Sequence, residues 1–476
     1  MIEYLENIAT LFKNKTLNAF GVERDFLTLL SDGDVSRAIG MMSDYDSDVD
    51  QCIMEYYPEK HIVTARPNKI RENKTPYITE KLTRKRQAFI NEVALFFLLN
   101  NKIKFICKSR EQKDRDAYKI FCEFIEDSHF NTSMRQVKRL AGAETEAAKL
   151  YHIYRNEDDN NVQCRIVVLA RSTGYKLRSL IDQYGEMKAF AYGYKTKENG
   201  RTVEHWDIQT KDWLFYTVKN QLGWNVETRP NPTGKINIVY YRQNKEWNGV
   251  QNLCDREESV QSRLADNNNY FSDPIAKVSA DILMMQEDEP HSVGKMIQVQ
   301  GDQSVLEYIN PPQVAGGWTD EKNDLKSAIL TDSFTPDFSY EGIKGYGTLT
   351  GAALRNAMTI GYIKRSLNLE VYEIGVAREV SVIKSFLAIV HPEYDWANLR
   401  IDFEFADPFT DDKQTLWSAI GQAKANGIIS EQTAIEIANF TDDTDAELQR
   451  IKEAQREEMA MQAHDKGNGT PTGQGA

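Results

Sequence analysis

An α+β fold is what this sequence predicts, and three observations predict it. Helical spacing of apolar residues dominates up to residue 152, strand-like segments then follow one another from Val162 to Tyr241, and one helical pattern runs from about Thr350 to Ile389. Helices gathered ahead of a run of short strands point to a mostly antiparallel sheet, not to a βαβ series.

Residues 1–60 read as short helices and loops. The acidic run Asp44–Asp50 reads as a solvated loop, because it lacks the glycine and the closing glutamate of a calcium-binding EF-hand. A helix starts at Thr83-Arg84-Lys85-Arg86-Gln87 and carries Phe89, Val93, Phe96 and Phe97 at helical spacing. Asn100-Asn101 ends it, and Lys102–Cys107 alternates as a strand. The basic cluster at 84–86 is read as the solvated face of this helix, with nucleic-acid contact as the alternative. Residues 112–126 and 132–152 are read as helices. The strand candidates are CRIVVLA, KAFAYGYKT, TVEHWDI, DWLFYTV and INIVYY, separated by Gly, Asn and Pro turns such as Asn231-Pro232-Thr233-Gly234.

Beyond Tyr241 the pattern is helical again. Residues 247–271 make one amphipathic helix with Trp247, Val250, Leu253, Val260 and Leu264 on a stripe, closed by Pro274. Short strands over 275–310 surround the acidic turn Gln286–Pro290, a second helix fits 319–333, and a glycine-rich loop fills 336–347. The helix from Thr350 to Ile389 would span roughly 60 Å. Its charges, Lys364, Arg365, Glu370, Glu373, Arg378 and Glu379, exclude a membrane span; strict heptads are absent, and Gly361 and Gly375 are candidate kink points. Leu399–Phe405 alternates as a strand. Three short helices follow: 411–425, stopped by Asn426-Gly427; one capped by Ser430; and one opened by the capping box Thr444-Asp445-Ala446-Glu447. The tail from His464 has a flexible composition.

Composition removes several function classes. The chain has 476 residues, 41% hydrophobic and 27% charged, which fits a folded protein of several parts. Its longest apolar run, near Val93–Leu99, is too short for a bilayer, and Met1–Glu6 lacks the basic start of a secretory signal. Cys52, Cys107, Cys122, Cys164 and Cys254 are scattered, which suits free buried thiols in a reducing compartment and gives no zinc spacing. The formal net charge of −13 speaks against a module that grips phosphates. It does not speak against a conduit that DNA slides through.

Catalytic and cofactor motifs are missing. Val293-Gly294-Lys295-Met296 is not a Walker loop, HExxH and GxSxG do not occur, and Gly342, Gly345, Gly347 and Gly351 miss dinucleotide-loop spacing. A two-metal nuclease would draw on Asp255/Glu257/Glu258, Glu287/Asp288/Glu289 or Asp402/Glu404; each group reads as solvated charge. No cofactor, metal or catalytic residue is therefore assigned.

The order of parts resembles the portal proteins of tailed double-stranded DNA phages, from about residue 60 to 460. Pro232–Tyr240 (PTGKINIVY) is similar to the strand leaving that family's wing. Trp247–Asp273 resembles its first stem helix, and Ile275–Asn310 takes the place of the clip. Thr348–Leu354 (TLTGAAL) is similar to the junction where the tunnel loop enters the long helix, and Asn426–Ala434 (NGIISEQTA) resembles a turn of the crown.

The resemblance implies an α+β portal-type subunit. Its parts would be an N-terminal segment (1–60), a wing (61–245), stem helix 1 (246–273), a clip (274–317) and stem helix 2 (318–335). A tunnel loop (336–349), the long helix with a return strand to the wing (350–410), crown helices (411–463) and a flexible tail (464–476) would follow. It implies a ring of about twelve subunits at one capsid vertex, passing DNA without sequence specificity and without catalysis. Its partners would be the major capsid protein, scaffold, a terminase docking on the clip, and head-completion or adaptor proteins. The expected places are the virion, and the host cytoplasm during assembly. Tyr340, Lys344, Tyr346 and Thr348 would belong to the tunnel loop, with Lys344 and Tyr346 either meeting the phosphate backbone or merely solvated and packed. Glu287, Asp288, Glu289 and His291 would lie in the docking clip. The stripe Trp247, Val250, Leu253, Val260 and Leu264 would be buried on neighbouring subunits. Another phage head component, or less readily a metal-dependent DNA-processing enzyme, are the alternatives.

Overall fold

The computed structural model describes residues 25–70, 76–109, 111–156, 161–198, 200–221, 223–271, 276–278, 281–285, 297–300, 306–308, 315–339, 342–344, 353, 356–409, 413–438 and 447–457. Helices α1 (Phe26–Ser31) and α2 (Val35–Gly40) are started by Asp25 and Asp34, whose carboxylates accept backbone N–H bonds from Phe26 and Arg37. Helix α3 (Asp46–Tyr56) corrects the reading of Asp44–Asp50 as a loop. Asp46 and Asp48 occupy its first turn, where the helix dipole favours negative charge. Burial of Asp46 opposes its ionisation, but bonds from Arg178 and Lys176 outweigh this and bring its pKa down to about 2.

Strands β1 (Lys69–Ile70) and β2 (Pro76–Tyr77) form a small hairpin ahead of α4 (Arg86–Leu99). Then come β3 (Ile103–Cys107), α5 (Gln112–Asp127) and α6 (Phe130–Glu144). The helix expected over 132–152 stops at Glu144. Thr145 takes a left-handed conformation at φ 67° and turns the chain into β4 (Glu146–Arg155). A threonine there is rare, so nothing in the sequence marked the stop.

Two sheets follow. The three-stranded one has the order β11 (Ile238–Arg242), β4, β5 (Val162–Leu169). The five-stranded one has the order β10 (Gly223–Pro230), β9 (Trp213–Asn220), β8 (Arg201–Thr210), β7 (Met187–Glu198), β6 (Lys176–Ile181), all antiparallel. Alternation along β7 serves two cores. Ala189 and Ala191 pack with Leu29, Leu30 and Val35 of the N-terminal helices, whereas Phe190 and Tyr192 face Leu150, Leu169 and Ile238.

Asp207 sits 7% exposed beneath Tyr192 and Tyr194, and burial raises its pKa to about 6 despite the tyrosine bonds. The fold therefore prefers the protonated form. That stability is complete below the unfolded carboxyl value and is lost as pH rises through about 6. Asp207→Asn is expected to stabilise the chain at pH 8 by on the order of 2–3 kcal/mol and to change nothing near pH 4. Urea unfolding at the two pH values checks it.

Helix α7 (Gln251–Phe271) leads to the strand pairs β12 (Ala276–Val278) with β15 (Leu306–Tyr308) and β13 (Asp281–Met285) with β14 (Ile297–Gln300). Helix α8 (Ala315–Asp332) returns. The long helix α9 spans Thr359–Val390, and β16 (Ile401–Phe405) pairs with β3. Gly361 and Gly375, the candidate kink points, are sites of close packing. A Cβ on Gly361 would lie 2.2 Å from the Phe97 ring, and one on Gly375 would lie 2.1 Å from Tyr241. These glycines let α4 and β11 approach the helix axis. The largest core joins α9 to α4, α5, α6 and β4 through Leu98, Phe121, Phe130, Tyr151, Tyr372 and Phe386.

The described residues up to Ile343, with Met358–Pro408, form one compact unit. The second unit is Lys344–Ala357 together with the chain from Phe409. In the second, α10 (Lys413–Ala425) and α11 (Glu431–Ala438) flank a turn at Gly427, and the Ser430 hydroxyl accepts the Thr433 N–H at 3.2 Å. The capping box at 444–446 lies outside the described residues.

Candidate functional site

One face of α7 is lined by carboxylates that are almost wholly buried. Glu257, Glu258 and Asp266 are 1%, 2% and 7% exposed, and Ser262 between them is fully covered. This corrects the reading of Glu257 and Glu258 as solvated charge. What covers them is residues 61–70 and 76–86, a strap that runs out along the helix and back. The returning arm donates every second backbone N–H to the helix. Glu80 gives to Asp266 at 2.8 Å, Leu82 to the Ser262 hydroxyl at 2.9 Å, and Arg84 to Glu258 at 2.6 Å. The match is geometric. Two residues of extended chain advance about 6.6 Å and four residues of helix about 6.0 Å, so alternate N–H groups meet an i, i+4 row.

Side chains complete the clamp. Arg86 forks onto both oxygens of Glu257 at 2.8 and 2.7 Å, and Arg66 pairs with Asp266 at 2.6 Å. Arg84 Nε bonds Gln261 at 2.8 Å. The cluster at 84–86 is thus mostly a tie to α7; of its three residues only Lys85 is exposed, which corrects the solvated-face reading. His61 Nδ1 lies 2.7 Å from Glu258. Burial disfavours charge on His61, but the bond to Glu258 outweighs it and raises its pKa.

The expected stripe on this helix divides. Trp247 and Val250 are already buried within one chain, against Ile90, Cys254 and Ile329, and the Trp247 indole donates to Glu55. Val260 is also buried, while Leu253 and Leu264 remain partly exposed. A single chain thus already covers much of what neighbouring subunits were expected to cover.

Where α6, the chain before α7, the end of α8 and α9 meet, two lysines share one glutamate. Glu246 pairs with Lys138 and, at 3.3 Å, with Lys364. Lys138 also reaches Asn368 at 2.9 Å, and Lys364 donates to the carbonyls of Glu246 and Ser333 at 3.0 and 2.9 Å. Desolvation lowers the pKa of Lys138 and brings that of Lys364 to about 8. Burial pushes Glu246 the other way, but the two lysines hold its pKa below the ordinary value. A second buried centre sits further along α9. Glu379 accepts from Lys149 at 2.7 Å, from the Tyr151 hydroxyl at 2.8 Å and from Tyr241.

The opposite face of α9 is bare. Ile360, Ile363, Leu367 and Ile374 are 39%, 44%, 51% and 75% exposed, at spacings of three, four and seven residues. Glu370 stands where a strict heptad would place another aliphatic.

Of the expected tunnel-loop residues, Lys344 is exposed in the short helical turn 342–344, and Tyr340, Tyr346 and Thr348 lie outside the described residues. Asp337, at the loop's start, is tied to α8 by Lys326 at 2.7 Å, and a Cβ on Gly342 would lie 2.2 Å from the Asp337 carbonyl. Glu287, Asp288, Glu289 and His291 also lie outside the described residues. Asp402 pairs with Lys108 at 3.0 Å. Among the described residues no three His, Cys, Asp or Glu side chains are grouped to hold a metal, and no helix is long and apolar enough to cross a membrane.

A family model described as phage portal protein, SPP1 Gp6-like, matches residues 33–461. No curated protein sequence matches the chain. Solved structures that resemble it include the neck of an empty gene transfer agent particle computed with C6 symmetry. That likeness has 11% identity, a TM-score of 0.42, and coverage of 75% of this chain and 92% of the other. The neck of the native particle computed with C12 symmetry gives 10% identity and 0.42 over the same shares. The virion of the native particle gives 10% and 0.40, again over 75% and 92%.

Proposed function

Since this chain belongs to the SPP1 Gp6-like phage portal protein family, we propose that about twelve copies close into a ring at one capsid vertex. The ring is the channel for packaging and ejecting double-stranded DNA. It is also the platform on which terminase, and later head-completion and adaptor proteins, dock. The family match over 33–461 carries this reading. The bare aliphatic line on α9 supports the ring, since a subunit taken out of its assembly leaves such a line uncovered. Closure follows if each copy offers two different faces to its neighbours.

Binding to DNA is weak by design in this reading. The formal charge of −13 per copy repels phosphate, so the duplex stays mobile. Contact falls to Tyr340, Lys344, Tyr346 and Thr348, which touch the backbone and read no bases. Glu287, Asp288, Glu289 and His291 take part in docking. The ring assembles in the host cytoplasm with scaffold and major capsid protein and stays in the virion. Its role is structural, and ATP is consumed by the separate terminase. Silencing the gene in a phage that encodes this chain should give heads without DNA, restored by the chain supplied in trans. Filled heads in its absence would point to another head component.

A further inference from the structure

The strap and helix α8 lie on opposite sides of α7. Glu258, Ser262 and Asp266 face the strap, whereas Arg256 pairs with Glu321 of α8 at 2.6 Å. Arg256 is two residues from Glu258, about 200° around the helix. The three elements therefore stack in the order strap, α7, α8, with two outer faces pointing apart.

Those outer faces differ in charge. The strap exposes Lys69, Lys81 and Lys85 between Ile62, Ile70, Ile78 and Leu82, which are 73%, 77%, 76% and 39% exposed. The one acid among its described residues, Glu80, is turned to Asn269 at 2.8 Å. On α8 the outward row holds Asp320, Asn323, Asp324 and Ser327, all exposed. The lysines of that helix are placed otherwise: Lys326 is held by Asp337 and Lys322 is half-buried. A basic, partly apolar face and an acidic face thus stand on opposite sides of one rigid stack.

We propose that the strap of one copy docks on the α8 face of the next copy. The proposal rests on the ring reading above. It is what a head-to-tail contact requires: two unlike, complementary surfaces on every copy, so that the contact repeats around the ring until it closes. Lys81 and Lys85 meet Asp320 and Asp324, and the strap's aliphatic side chains exclude water around those pairs. Because the strap's backbone is pinned to α7 by three N–H bonds, little ordering remains for docking to supply.

A charge swap in the full-length chain tests this. Lys81→Glu with Lys85→Glu reverses the strap, Asp320→Lys with Asp324→Lys reverses α8, and a third protein carries all four changes. Native mass spectrometry at one fixed concentration and moderate salt gives the ring fraction. Each reversal alone should lower it about tenfold or more, and the fourfold variant should return most of it. The four residues are exposed, so a far-ultraviolet dichroism spectrum like the parent's should accompany each. Rings undiminished by either reversal, or no recovery in the fourfold variant, overturn the docking and leave the ring reading standing. A parent chain that forms no ring, even with scaffold and capsid protein added, overturns both.

Discussion

Glu379→Leu is expected to destabilise the folded chain by about 3–5 kcal/mol, the cost of stranding a buried charge. Glu379 and Lys149 are both fully buried, and Tyr151 and Tyr241 turn their hydroxyls to the same carboxylate. Desolvation already lowers the pKa of Lys149, with Glu379 opposing that shift. Without the carboxylate, Lys149 must stay charged in an apolar core or give up its proton, and either costs free energy. The two tyrosines lose an acceptor as well. The consequence reaches function because these residues fix β4 and β11 to α9, the helix that bears the bare aliphatic line. Lys149→Met together with Glu379→Leu should recover most of the loss, since an apolar pair of similar volume replaces an ion pair at little cost. Urea midpoints of the parent, the single and the double variant decide it. A single variant as stable as the parent would mean that Lys149 draws nothing from Glu379.

Leu367→Glu with Ile374→Glu is expected to abolish the ring while leaving the subunit folded. Both side chains are more than half exposed in one chain, so the substitutions touch no core. At an interface they would bury two carboxylates per contact without partners, at several kcal/mol each, repeated at every contact of the ring. Size-exclusion chromatography should then show a species near 54.6 kDa with an unchanged dichroism spectrum. An intact ring would place the aliphatic line on solvent and remove the support it gives to the ring reading.

Much of the framework was legible because it rests on local periodicity. The strands β5, β7, β8, β9 and β11, the helices α7 and α8 and the long helix follow from alternation or helical spacing, which neighbouring residues alone determine; β6 and β10 were not among the strand candidates. The end of α6 was not legible, because a left-handed Thr145 stops it where glycine or proline would have been the signal. Nor was the purpose of Gly361 and Gly375. Only the rings of Phe97 and Tyr241, far away in sequence, show that those positions admit no Cβ.

The polar clamp was misread for the same reason. Glu257, Glu258 and Asp266 look like a solvent face because their partners, Arg86, His61 and the Glu80 N–H, lie more than 170 residues earlier. A signal existed in the acids at 257, 258 and 266 set against arginines at 66, 84 and 86, but charge alone does not tell a tie from a surface. Likewise, Lys138, Lys149, Lys364 and Glu379 sit in segments whose sequence gives no hint that their charges are buried. The bare line on α9 needs the opposite information, namely which face the core leaves uncovered.

The most direct test of the account is the mass of the purified, unmodified chain. Native mass spectrometry with negative-stain imaging should show a species of about twelve copies of 54.6 kDa, seen as a ring with a central hole. A monomer at high concentration that still fails to assemble when scaffold and capsid protein are added would contradict it.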